Sequence, residues 1–77
     1  MPEVAREGKY RLCVYGKEHP KPHAHVILDG ERCVRVYLLP PAFMDAPPPG
    51  ERRAILRFVK DHLEEALAKW EELNEND

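Results

Sequence analysis

With 77 residues the chain has room for one small domain and not two, and a domain this short is only marginally stable alone. A formal charge of −2 excludes a polybasic nucleic-acid binder, and two cysteines are too few for a disulfide framework. No apolar run approaches the roughly 20 residues of a membrane helix and nothing reads as a signal peptide, so a soluble cytoplasmic protein is expected.

Met1–Gly8 is polar and reads as a short lead-in. Lys9-Tyr10-Arg11-Leu12-Cys13-Val14-Tyr15 alternates and is rich in strand formers, so a first strand is expected there, ended by Gly16. Lys17–Pro22 reads as a loop, because Pro20 and Pro22 each lack a backbone donor and push their predecessors towards extended conformations. His23–Leu28 is expected to be a second strand, Asp29-Gly30 a two-residue hairpin turn, and Glu31–Leu39 a third strand. Such a turn would pair Leu28 with Glu31, Val26 with Cys33 and His25 with Val34. Apolar residues on both faces of the third strand leave that register open.

Pro40-Pro41 stops the strand, and Ala42–Pro49 reads as a loop whose Phe43 and Met44 tuck against the core or touch a partner. From Gly50 or Glu51 the period becomes helical, with Ile55, Phe58, Val59, His62, Leu63, Ala66, Leu67, Trp70 and Leu73 on one stripe and charged residues opposite. That stripe has to cover one face of the sheet. The fold class expected is therefore α+β, a small antiparallel three-stranded sheet packed by one C-terminal amphipathic helix, with residues 9–73 as the core of a single domain.

Three of the four histidines, His19, His23 and His25, fall within seven positions. His23 and His25, two apart on a strand, share a face. Two imidazoles near neutral pKa can serve as general base and acid, as RNA cleavage requires, and Arg11 and Arg35 on neighbouring strands could stabilise phosphate charge. Tyr15 or Tyr37 could donate a hydrogen bond or stack on a base. His62 shares the apolar stripe of the helix and could approach the sheet histidines from there. The catalytic candidates are thus His23, His25 and His62, and the binding candidates His19, Arg11, Arg35 and Tyr15. A zinc site on His23 and His25 would need more ligands from His19, Glu18, His62, Cys13 or Cys33, and the spacing matches no zinc-finger pairing; no cofactor is expected. Cys13 and Cys33 read most simply as small apolar strand residues, and Trp70 as the packing anchor of the helix.

Charge divides unevenly along the chain. Residues 1–39 carry seven Lys/Arg against five Asp/Glu, and residues 40–77 five against nine. A phosphate-bearing ligand near the first half is compatible with this, long-range steering of a polyanion is not, and Glu64-Glu65 and Glu71-Glu72 form a solvated acidic face or a surface for a basic partner.

The segment Tyr15-Gly16-Lys17-Glu18-His19-Pro20-Lys21-Pro22-His23-Ala24-His25-Val26 resembles the signature of a prokaryotic domain-of-unknown-function family catalogued under the number 4160. Asp29-Gly30, Leu39-Pro40, His62, Glu64-Glu65 and Trp70 stand where that family has a glycine hairpin, a Leu-Pro step and a closing helix with His, Glu-Glu and Trp. Ala24 departs from the family's bulky aromatic, and Pro41–Gly50 from its usual short connection. The resemblance implies a toxin–antitoxin-like module in which such a chain is encoded beside another small protein. The expected partners are a small cognate protein or a second copy of the chain, with RNA as a substrate of the histidines. The non-enzymatic alternative is an interaction domain that uses a sheet edge or the acidic helix face, and a histidine-rich metal-binding domain is the third.

Overall fold

The computed structural model describes residues 3–15, 21–29 and 32–74. It has five strands, β1 (Glu3–Glu7), β2 (Tyr10–Cys13), β3 (His23–Asp29), β4 (Arg32–Leu38) and β5 (Pro41–Phe43), followed by the helices α1 (Arg52–Asp61) and α2 (Leu63–Asn74). Each strand pairs antiparallel with its neighbour in the chain, giving the order β1-β2-β3-β4-β5. The α+β class holds, but three strands become five and one helix becomes two.

The two extra strands are both edges. β1 forms from residues that read as a lead-in, folding back on β2 through a tight turn in which Gly8 adopts φ +58°, a conformation that favours glycine. An edge strand is paired on one side only and can be half exposed, so Val4 and Ala5 packing against the core are enough to place it. β5 follows the Leu39-Pro40 turn, whose peptide is cis, and pairs Leu38 with Pro41. Proline is tolerated there because it opens an edge strand. Phe43 then reaches the core, with the Arg52 guanidinium 5.1 Å from its ring centre.

The helix divides at His62, although residues 52–74 contain neither glycine nor proline. His62 has φ −120° and ψ 22°, and its N–H bonds to the Val59 carbonyl at 3.2 Å, so the α-helical repeat is lost for one residue. Its ring reaches back to β1, with Nε2 3.0 Å from the Glu7 carboxylate.

The β3–β4 register differs from the expected one by a residue. Val26 faces Val34, His25 faces Arg35 and Ile27 faces Cys33, and a further one-residue shift between Ile27 and Asp29 leaves Asp29 facing Arg32. Burial explains the choice. This register turns Val34, Val36 and Leu38 inward, all at most 4% exposed, and leaves Cys33 and Arg35 exposed outside. A one-residue slip would exchange those sets, and each fully buried Val or Leu is worth about 1.5–3 kcal/mol.

One parity rule follows through β2, β3 and β4. The even-numbered residues Leu12, Val14, Ala24, Val26, Leu28, Val34, Val36 and Leu38 form the core with Ile55, Phe58 and Val59 of α1 and Ala66 and Trp70 of α2. The odd-numbered residues make the other face.

Candidate functional site

The odd face is a grid with His25 at its centre. In register it has Cys13 of β2 on one side and Arg35 of β4 on the other, while Arg11 and Ile27 pair one step along and His23 and Tyr37 pair at the start of β3. The Tyr15 ring meets the His25 ring edge-on, with centres 4.6 Å apart. Cys13 and His23 are buried, His25, Ile27, Tyr15 and Tyr37 are half-buried, and Cys33 and Arg35 are exposed.

His23 and His25 do come together, with ring centres 5.7 Å apart. Their settings differ. His23 is 3% exposed, and its ring centre lies 5.1 Å from that of Trp70. Its Nδ1 is 3.1 Å from the Lys21 carbonyl, which can only accept, so Nδ1 carries a proton. His25 sits nearer the surface, with Nδ1 3.6 Å from the Cys33 Sγ.

His62 is elsewhere. Its Nε2 lies 3.0 Å from Glu7 and its Nδ1 3.4 Å from Glu65, and its ring packs on Phe58. Carboxylates accept, so both nitrogens donate and the imidazolium is favoured. The Glu7 hydrogen bond above all, with Glu65 adding to it, raises the His62 pKa against a smaller opposing effect of burial. Glu7 pairs with Tyr10, three residues along β2 from the Cys13 that faces His25. That places His62 about 10 Å of strand away, so the expected constellation of His23, His25 and His62 does not form. His62 instead clasps the β1–β2 turn, which Glu51 holds as well: Tyr10 Oη and Lys9 Nζ both reach its carboxylate at 2.9 Å.

The binding candidates are accounted for as follows. Arg11 Nε donates to Glu3 at 2.7 Å, and this bond holds the Arg11 pKa up; hydrogen bonds from Arg6 and Arg11 hold the Glu3 carboxyl down. Arg35 makes a two-pronged pair with Asp45 at 2.8 and 2.9 Å, and its backbone N–H donates to the same carboxylate at 3.0 Å. That guanidinium pulls the Asp45 pKa down to about 2. Both arginines thus already have carboxylate partners. Tyr15 joins the site through His25, while His19, like Glu18, lies outside the described residues.

Three contacts escaped the sequence reading: that of Cys33 with His25, and those of Glu3 and Asp45 with the arginines. The first depends on the β3–β4 shift, since the simple hairpin places Cys33 on the core face. Asp45 carried no signal, being ten residues from Arg35 across a turn not foreseen. Among the described residues no three His, Cys, Asp or Glu side chains converge so as to hold a metal ion, and no helix is long and apolar enough to cross a membrane.

Residues 10–71 match the family described as Domain of unknown function (DUF4160), and the chain belongs to it. No curated protein and no solved structure matches the chain.

Proposed function

We propose, with membership of the DUF4160 family as the premise, that the chain is a protein-binding component of a toxin–antitoxin-like module and holds a small cognate protein on its odd sheet face. The observation that supports this most directly is the pairing of Arg11 with Glu3 and of Arg35 with Asp45. A phosphate would have to displace a carboxylate at each guanidinium. A protein surface needs only a mixed rim of paired charges about aromatic and aliphatic groups, which Tyr15, Tyr37 and Ile27 supply.

The test is binding to the small protein encoded beside it, by calorimetry on the purified pair. Ile27→Glu should abolish the complex, and the double reversal Glu71→Lys and Glu72→Lys on the helix should leave it intact. The opposite pattern moves the interface to the acidic helix face. A stable homodimer with no affinity for the neighbour would replace the cognate protein by a second copy.

A second reading, histidine-dependent action on RNA, draws support from the 5.7 Å approach of His23 and His25. In it His25 exchanges protons with the 2′-hydroxyl or the leaving oxygen, and Tyr15 orients its ring. His23→Ala with His25→Ala should then abolish RNA cleavage or growth arrest; persistence of both would end this reading.

A further inference from the structure

The two cysteines lie on the same sheet face in opposite circumstances. Cys13 is fully buried, and burial pushes its thiol pKa up. Cys33 is exposed, and its sulfur is 3.6 Å from the Nδ1 of His25. The imidazole meets the Tyr15 ring edge-on at 4.6 Å and lies beside His23 at 5.7 Å. A nucleophile, a base within reach of its proton and an aromatic edge packed on the base make up the arrangement that activates a thiol.

The two cysteines cannot satisfy each other. Strand β3 separates β2 from β4, so their Cα atoms are at least two strand spacings apart, more than about 9.6 Å, beyond the roughly 7 Å a disulfide spans. A disulfide partner for Cys33 therefore comes from another molecule.

We propose that Cys33 is a site of reversible thiol–disulfide exchange with low-molecular-weight disulfides, with His25 as its proton acceptor. Nδ1 of His25 takes the thiol proton, and the thiolate's electron pair attacks one sulfur of the incoming disulfide. The S–S bond breaks, and its electrons leave with the departing thiolate, which recovers the proton from His25. Cys33 ends in a mixed disulfide, and one half of the reagent is released as a thiol. Among the described residues, the titratable and charged groups about the pair include Tyr15, His23, Cys13, Arg11, Arg35 and Asp45. The modification belongs to the chain without its partner, because a protein held on the odd face would cover Cys33.

The test is exposure of the native chain to glutathione disulfide, read by intact mass and peptide mapping. One adduct is expected, on Cys33, with Cys13 modified only after denaturation. At pH 7 Cys33 should react at least about fivefold faster in the native chain than in the urea-unfolded one, and His25→Asn should remove the advantage. The pH–rate profile of the unaltered protein gives an answer even if that variant does not fold. A rise centred well below the ordinary thiol value of about 8.5 supports the pair. A rise at that value, a native rate no higher than the unfolded one, or preferential reaction at Cys13 overturns it.

Discussion

The two faces of the sheet are built from alternate residues of the same three strands, yet they are different materials. The even face is aliphatic from Leu12 to Leu38 and almost wholly removed from water. The odd face mixes histidine, arginine, tyrosine and cysteine, with each arginine held by an acid. One face packs the core and the other carries the polar and titratable side chains of the central strands, each on its own parity.

The sharpest way to break that division is to truncate one residue on each face. Leu38→Ala should cost about 2–5 kcal/mol. Ile27→Ala, half-buried on the odd face, should cost about 1 kcal/mol or less. Urea unfolding followed by circular dichroism measures both, and equal losses would erase the distinction.

Histidines on the odd face should divide in the same way. His23→Ala removes a buried ring and its bond to the Lys21 carbonyl, so a loss of about 1–3 kcal/mol is expected, with a shift in Trp70 fluorescence. His25→Ala should cost about 1 kcal/mol at most. If His25 proves the costlier, it is the structural member and His23 the working one.

His62 should behave as a staple. Its pKa is raised in the folded state, so its contribution is complete below the ordinary histidine value near 6.5 and is lost as pH rises through the folded value. Comparison with His62→Gln should show a difference of about 0.5–1 kcal/mol near pH 6 that fades towards pH 8.5. A difference that grew with pH would contradict the assigned imidazolium. His62→Gln should leave Cys33 reactivity unchanged.

Arg35 and Asp45 give the smallest effect, because Arg35 is exposed and Asp45 only half-buried. Asp45 titrates at about 2 in the fold against an ordinary 3.8, so its stabilisation is present above 3.8 and lost as pH falls towards 2. Arg35→Gln should cost about 1 kcal/mol or less at pH 7, and much less at pH 2, where Asp45 is about half protonated. Acid titration of the two proteins, compared by thermal melting, checks the sign.

Much of this contrast is legible in the sequence. The alternation of Tyr10–Cys13, the run His23–Leu28 and the apolar stripe from Ile55 to Leu73 identify the central strands and the helical half, and a spacing of two puts His23 and His25 on one face. What escapes is set by tertiary bonds. β1 and β5 need only one paired edge and little hydrophobic pattern. The helix breaks at His62, whose ring bonds Glu7, 55 residues away. The shift after Ile27, which no local residue announces, decides that Cys33 faces outward and meets His25.

The order of strands along the chain also sets a schedule. Each strand pairs with its predecessor, so the sheet can zip from the N-terminus during synthesis, while its helical cover is made last. At about 5–20 residues per second, the segment 52–74 takes roughly one to five seconds to follow. During that interval Leu12, Val26, Val36 and Leu38 line a finished but roofless surface. Ribosome-bound chains arrested with residue 51 just emerged should bind a hydrophobic dye or a chaperone that the released protein ignores. The moment of greatest risk of mispairing with another nascent copy is therefore written into the order of the elements.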